Sequence, residues 1–172
     1  MHMKKKKILY TLLFILVLVV LCYVTFTFHK RSDRPSASVQ IPEYVKHELI
    51  DETMGETPEE IAESCSELTG ELLQFSFDQT PLFQGGVSQA HCVTYAKVCA
   101  ELCNIAYKQY GIQAHARPVV GEYSMLGINL HKVAQALLPA KYDPLFKDHD
   151  VVEVQYDGKT IYIDPSLDDI LD

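Results

Sequence analysis

Asp157-Gly158 stands between two alternating runs, Val151-Val-Glu-Val-Gln-Tyr156 and Lys159-Thr-Ile-Tyr-Ile163. Asp-Gly in that setting favours a two-residue type I′ hairpin turn, whose central positions both need positive φ. A two-residue loop leaves no freedom of register. Tyr156 then faces Lys159, Val154 faces Ile161, Val152 faces Ile163, and Val151 faces Asp164. Successive side chains point to opposite sides of a strand, so Val152, Val154, Tyr156, Ile161 and Ile163 share one apolar face. His149 and Asp164 fall on the other face as diagonal neighbours. Diagonal pairs sit about 7–8 Å apart at Cα, within reach of a side chain as long as His. The turn chemistry alone therefore sets an imidazole beside a carboxylate.

A second stretch, Ser88 to Tyr110, reads as one helix. Gly85-Gly86 breaks the chain before it, Ser88 is a suitable N-cap, and Gly111 suits the left-handed C′ position. Cys92, Ala96, Cys99, Cys103, Ala106 and Tyr110 recur at spacings of four and three, the buried stripe of an amphipathic helix. As a small residue of that stripe Cys92 is equivalent to Cys99 and Cys103. Its place in the first turn separates it from them. First-turn N–H groups lack intrahelical partners and the helix dipole is positive there, which favours a thiolate, the nucleophilic form, over a thiol.

The remaining chain supplies flanking elements. Thr57-Pro58-Glu59-Glu60 predicts a helix start, with Thr57 as N-cap, Pro58 at N1 and Glu60 closing a capping box. Ile61, Cys65, Leu68, Leu72 and Leu73 form its apolar side, and it ends near Phe75. A loop to Gly86 follows. Ile112 to Val120 reads as an edge or irregular strand because Pro118 interrupts it. Gly121 to Gly127 reads as a turn, and Asn129 to Leu138 as a helix stopped by Pro139. One helix against a small antiparallel sheet makes the class α+β.

Ahead of these elements, Lys4 to Lys7 precede Ile8 to Phe28, a stretch with no charged residue. At about 1.5 Å rise per residue it is long enough to cross a hydrocarbon core of about 30 Å. It outruns the apolar region of about 7–15 residues of a cleaved signal peptide. The expectation is a basic cytoplasmic tail at 1–7, an uncleaved transmembrane anchor at 8–28, a tether at 29–55 with a short turn near 43–49, and one extracytoplasmic domain at 56–172. The orientation follows from the excess of lysine before the span. The chain carries 15 basic residues, four of them in that leading run, against 23 acidic ones. Such a balance excludes nucleic acid as a partner. His91, Cys92, Cys99 and Cys103 lack the paired short loops of a structural zinc site, so no metal is expected. No stretch suits a nucleotide, so no cofactor is expected.

A cysteine nucleophile needs a base to take its proton and an acceptor to hold that base. Cys92, His149 and Asp164 supply those roles in that chain order. Cys92-Val-Thr-Tyr-Ala96, Gly111-Ile-Gln-Ala114 with Val119-Val-Gly121, and His149-Asp-Val-Val-Glu-Val154 followed by Asp157-Gly158 and Ile163-Asp-Pro165 carry a further likeness. In these motifs, spread over residues 85–166, the chain resembles the transglutaminase-like superfamily, structural relatives of papain. The resemblance implies a papain-like, transglutaminase-like core and a thiol-dependent acyl-transfer enzyme that hydrolyses or transfers an amide of a peptide or protein substrate. It implies Cys92 as nucleophile, His149 as base and then acid, and Asp164 as its orienting partner. The Cys92 N–H is one oxyanion donor by the same analogy; Gln84 and Gln89 both remain open as the second. Members of this superfamily that have lost activity make a non-catalytic binding or scaffolding module the alternative.

Overall fold

The computed structural model describes residues 10–11, 14–15, 17, 27–35, 39–51, 55–84, 87–137 and 147–167. The chain divides into two compact units. The larger is Lys30–Gly121 with His149–Asp172, and the smaller is Met1–His29 with Glu122–Asp148. The strands are β1 (Thr27–Asp33), β2 (Leu73–Phe75), β3 (Ser88–Ala90), β4 (Ala114–Met125), β5 (Ile128–Asn129), β6 (His149–Tyr156) and β7 (Lys159–Ile163). The helices are α1 (Glu43–Asp51), α2 (Pro58–Leu72), α3 (Cys92–Tyr110) and α4 (Leu130–Leu137). The main sheet follows the path β1-β4-β6-β7, with β5 pairing β4, while β2 and β3 form a separate parallel pair.

The β6–β7 hairpin has the register that its turn dictates: Tyr156↔Lys159, Val154↔Ile161 and Val152↔Ile163. Asp157 and Gly158 take φ of 46° and 73°, as a type I′ turn requires. Val152, Val154 and Tyr156 are buried in the main core, and Ile161 and Ile163 pack against it. The core's other wall is α3, which touches β6, α2 and α1. Tyr95, Ala96, Val98, Cys99, Ala100, Leu102, Cys103, Ala106 and Tyr107 are all buried, so the helix is covered nearly all round instead of along one stripe. Tyr110, expected at the end of that stripe, is exposed and reaches out to donate to the Leu49 carbonyl. The capping box of α2 forms: Thr57 Oγ1 accepts the Glu60 N–H, and Glu60 Oε2 accepts the Thr57 N–H. Cys65 of α2 meets Cys99 and Cys103 of α3 in the interior. Their hydrogen bonds to Cys103, together with burial, push its thiol well above the ordinary range.

In the smaller unit, β4 runs on to Met125 through the stretch expected to turn. The hairpin into β5 bends instead at Leu126 and Gly127, with φ of 53° and 74°. Asn129 Oδ1 accepts the N–H groups of His131 and Lys132 and starts α4. His29 and Ser124 hydrogen-bond at 2.7 Å, and the rings of Phe28 and Tyr123 meet edge to face.

Several expectations are corrected. The α+β class holds, but the structure shows no papain-like core, so the architecture implied by the transglutaminase-like resemblance is overturned. Short motifs specify a helix, a hairpin and their order; they do not specify how layers are arranged around them. Among the described residues no helix is long and apolar enough to cross a membrane. The single-pass anchor at 8–28, and the cytoplasmic N-terminus and extracytoplasmic domain inferred from it, are therefore not supported. Most of that stretch lies outside the described residues, and Thr27 and Phe28, its expected end, begin β1. Within the expected tether, residues 29–33 continue that strand and 43–51 form α1, whose Val45 and Leu49 are buried. Pro118 does not mark an edge: β4 lies between β1 and β6, with Pro118 paired to Val152. Its carbonyl accepts the Arg34 N–H at 3.2 Å, one residue beyond the end of β1. In an antiparallel ladder a residue's N–H and C=O point to the same neighbour. The donor that proline lacks would thus face β1 only where that strand is ending.

Candidate active site

Cys92 is the first residue of α3 and is partly exposed. The chain reaches it through β3, not through a helical turn begun at Ser88. Leu73↔Ser88, Gln74↔Gln89 and Phe75↔Ala90 pair in parallel, and this pairing takes the residues that local capping signals assigned to the helix. The loop between β2 and β3 is fastened to β3. Thr80 N–H donates to the Gln89 carbonyl at 3.0 Å, and Gln89 N–H donates to Thr80 Oγ1 at 2.8 Å. Ser88 Oγ accepts the Phe83 N–H at 3.0 Å, so its hydroxyl serves the loop and not the helix. His91 becomes the N-cap, in an extended conformation with φ −110° and ψ 175°. Thr94 and Tyr95 donate their N–H groups to its carbonyl, which starts the helix one residue before the thiol.

His149 opens β6, on the last rung of the β4–β6 ladder opposite Gly121. Asp164 follows β7 by one residue. The two meet as the register predicts, with His149 Nε2 2.6 Å from Asp164 Oδ2. The other carboxylate oxygen accepts the Ser166 N–H at 3.1 Å and the Ser166 hydroxyl at 2.9 Å. Asp164 is thus oriented from both sides, and its side chain is 6% exposed against 3% for His149. Burial opposes a charge on the imidazole. The hydrogen bond and charge of Asp164, together with the nearby Cys92 side chain, outweigh it and push His149 up to about 10. Asp164 therefore contacts His149 directly and Cys92 lies near enough to act on its charge, although strict alternation would turn His149 away from the α3 side of the sheet. His149 and Asp164 both stand at strand ends, where the pleat no longer dictates direction.

In this arrangement the imidazole can take the thiol's proton and hold it as a cation, while the carboxylate fixes the ring through Nε2. Gln84 and Gln89 are both exposed, one in the loop and the other in β3. Among the described residues no group of His, Cys, Asp or Glu is placed to hold a metal ion.

Two features next to the site carry no signal in the sequence. Asp150, adjacent to His149, is completely buried and is held bidentately by Arg34, with Nε–Oδ1 at 2.6 Å and Nη2–Oδ2 at 3.0 Å. Glu153, 2% exposed, takes Lys30 Nζ at 2.8 Å and Arg117 at 2.6 and 2.8 Å, and accepts from Tyr162 and Gln155. Burial would raise this carboxyl, but the Lys30 and Arg117 hydrogen bonds hold it below the usual carboxylate range. Both partners from the N-terminal side, Lys30 and Arg34, lie in a stretch rich in Ser, Pro and charge that reads locally as a tether.

Comparison with known proteins found no matching family model, no similar curated protein and no matching solved structure.

Proposed function

We propose that this chain is a thiol-dependent acyl-transfer enzyme that hydrolyses or transfers an amide group of a peptide or protein. Cys92 is the nucleophile, His149 the base and then the acid, and Asp164 the residue that holds His149. The observation that carries this reading is the doubly anchored Asp164 carboxylate bound to His149, an imidazole on which the nearby Cys92 side chain also acts. The motif likeness to transglutaminase-like sequences around Cys92, Gly111 and His149 supports the same chemistry, and we propose kinship at that level. The thiolate attacks the carbonyl carbon, a C–S bond forms, and the amine leaves with the proton that His149 received from the thiol. Water or a second amine then attacks the thioester, which is where hydrolysis and transfer part.

The test is the rate of Cys92 alkylation by iodoacetamide at neutral pH. Cys65, Cys99 and Cys103 are useless as references, because burial alone makes them slow. The comparison is therefore with His149→Ala. An activated thiol reacts about tenfold or more faster in the wild type, since an ordinary thiol is only a few per cent ionised at pH 7. Equal rates in the two proteins would favour a non-catalytic binding module.

A further inference from the structure

Asp150 stands next to the proposed base and carries a buried charge. It is completely buried. Among the described residues its one cation is Arg34, with Nε 2.6 Å from Oδ1 and Nη2 3.0 Å from Oδ2. Replacing a buried ion pair by apolar residues of similar volume is often neutral or stabilising, so stability alone gives little reason for a pair here. What a guanidinium fork adds is direction: two parallel N–H···O contacts fix a carboxylate's place and orientation together. The start of β6 requires that. The β6–β7 ladder stops at Val152↔Ile163, so among the described residues 149–151 pair with β4 only, and His149↔Gly121 is the last rung. Strict alternation would put Asp150 on the α3 side with Val152 and Val154, and His149 on the other. The Cys92 side chain nonetheless acts on the His149 ring. The chain therefore departs from a regular pleat between these two residues, and Asp150 is the anchored one. Arg34 fastens the same place from outside β6. Its N–H donates to the Pro118 carbonyl of β4 at 3.2 Å. It also lines a cavity of about 250 Å³ with Lys97 and Ala100 of α3 and Ala116 and Pro118 of β4.

We infer that Arg34 is a positioning residue of the site: by clamping Asp150 it sets the start of β6, and with it the His149 ring, against the helix that carries Cys92. The inference rests on the acyl-transfer reading. Arg34 acts through Asp150, one peptide unit from His149, while Asp164 and Ser166 hold the ring from the β7 side. Proton transfer between thiol and imidazole needs the two within hydrogen-bond reach. A misplacement of about 1 Å is enough to slow such a step by on the order of a hundredfold. Loss of the fork would thus be felt at Cys92 although no member of the triad had changed.

The test uses variants of the full chain and two readouts, the melting temperature and the pH profile of Cys92 alkylation by iodoacetamide. Arg34→Met combined with Asp150→Leu removes both charges and keeps most of the volume, so the protein should melt within a few degrees of the wild type or higher. Its alkylation at neutral pH should nevertheless lose most of the wild type's advantage over His149→Ala, about tenfold. The rise of its rate with pH should move towards where it lies in His149→Ala. Arg34→Lys leaves Asp150 a cation but no fork. It should show the same displacement in smaller measure, and it carries the test if the double variant does not fold. Lys30→Gln takes a cation from Glu153 on the same N-terminal segment and should leave the profile where it is. An unchanged profile in the folded double variant, or in Arg34→Lys where that stands in for it, would overturn the inference alone. So would an equal displacement in Lys30→Gln, since the cause would then be a general loosening of the segment. A wild type whose Cys92 alkylates no faster than that of His149→Ala would sink the acyl-transfer reading and the inference with it.

Discussion

His149 joins the two halves of the site, and its environment sets a pH dependence. Its unfolded value is about 6.5, and in the folded chain it is raised to about 10. A basic group raised on folding stabilises the fold fully below its unfolded value, and that contribution disappears as pH climbs through the folded value. The stability gap between the wild type and His149→Gln should therefore be widest below about pH 6.5 and shrink towards pH 10. Denaturant titrations at half-unit steps of pH would measure it; a gap that widens with pH would mean that the imidazole is buried neutral. At this scale the site was legible where chemistry is local. An Asp-Gly turn fixes which residues oppose one another, and so brings His149 to Asp164; a first-turn position marks Cys92. Asp150 and Arg34 were not legible. Their bidentate contact joins residues more than a hundred positions apart, and neither has a neighbour whose type announces it.

Among the elements, the β6–β7 hairpin is the one whose faces the sequence predicts most firmly, and Val154 lies at the middle of its buried side. Val154→Asp would place a carboxylate against α3 with no cation to meet it. The cost is several kcal/mol in a fold whose total stability is typically about 5–15 kcal/mol. Loss of cooperative thermal unfolding is the expected outcome, and a variant melting within a few degrees of the wild type would show the faces to be reversed. The helix and strand ends were harder to read. Ser88 looks like an N-cap because its neighbours in sequence say so. The parallel pairing with residues 73–75, which no nearby signal reveals, makes it a strand residue instead. Pro118 likewise looks like an edge marker until β1 is seen to run out beside it.

For the whole molecule, the lesson lies in the segment before residue 56. It reads as a spacer, yet Lys30 and Arg34 neutralise the two carboxylates buried in β6, and Ile41, Val45 and Leu49 lie in the core. Glu153 keeps Arg117 when Lys30 is lost, but losing Arg34 leaves the buried Asp150 without its cation, and removing one partner of a buried ion pair typically costs about 3–5 kcal/mol. A fragment starting at residue 56 should fail to fold, whereas one starting at residue 27 should melt cooperatively by circular dichroism. A stable 56–172 fragment would show that Asp150 finds another partner. The layer arrangement was illegible for the same reason that the expected papain-like core was not found: local motifs say what α3 and the hairpin are, while distant charge pairs decide what closes over them.

The cluster of Cys65, Cys99 and Cys103 has a consequence of a different kind. The three thiols are sealed between α2 and α3, while Cys92 is partly exposed. Among these four cysteines a thiol reagent thus meets two clocks. The first runs at the speed of the chemistry at Cys92. The second starts only when two helices part, and counts how often the interior opens.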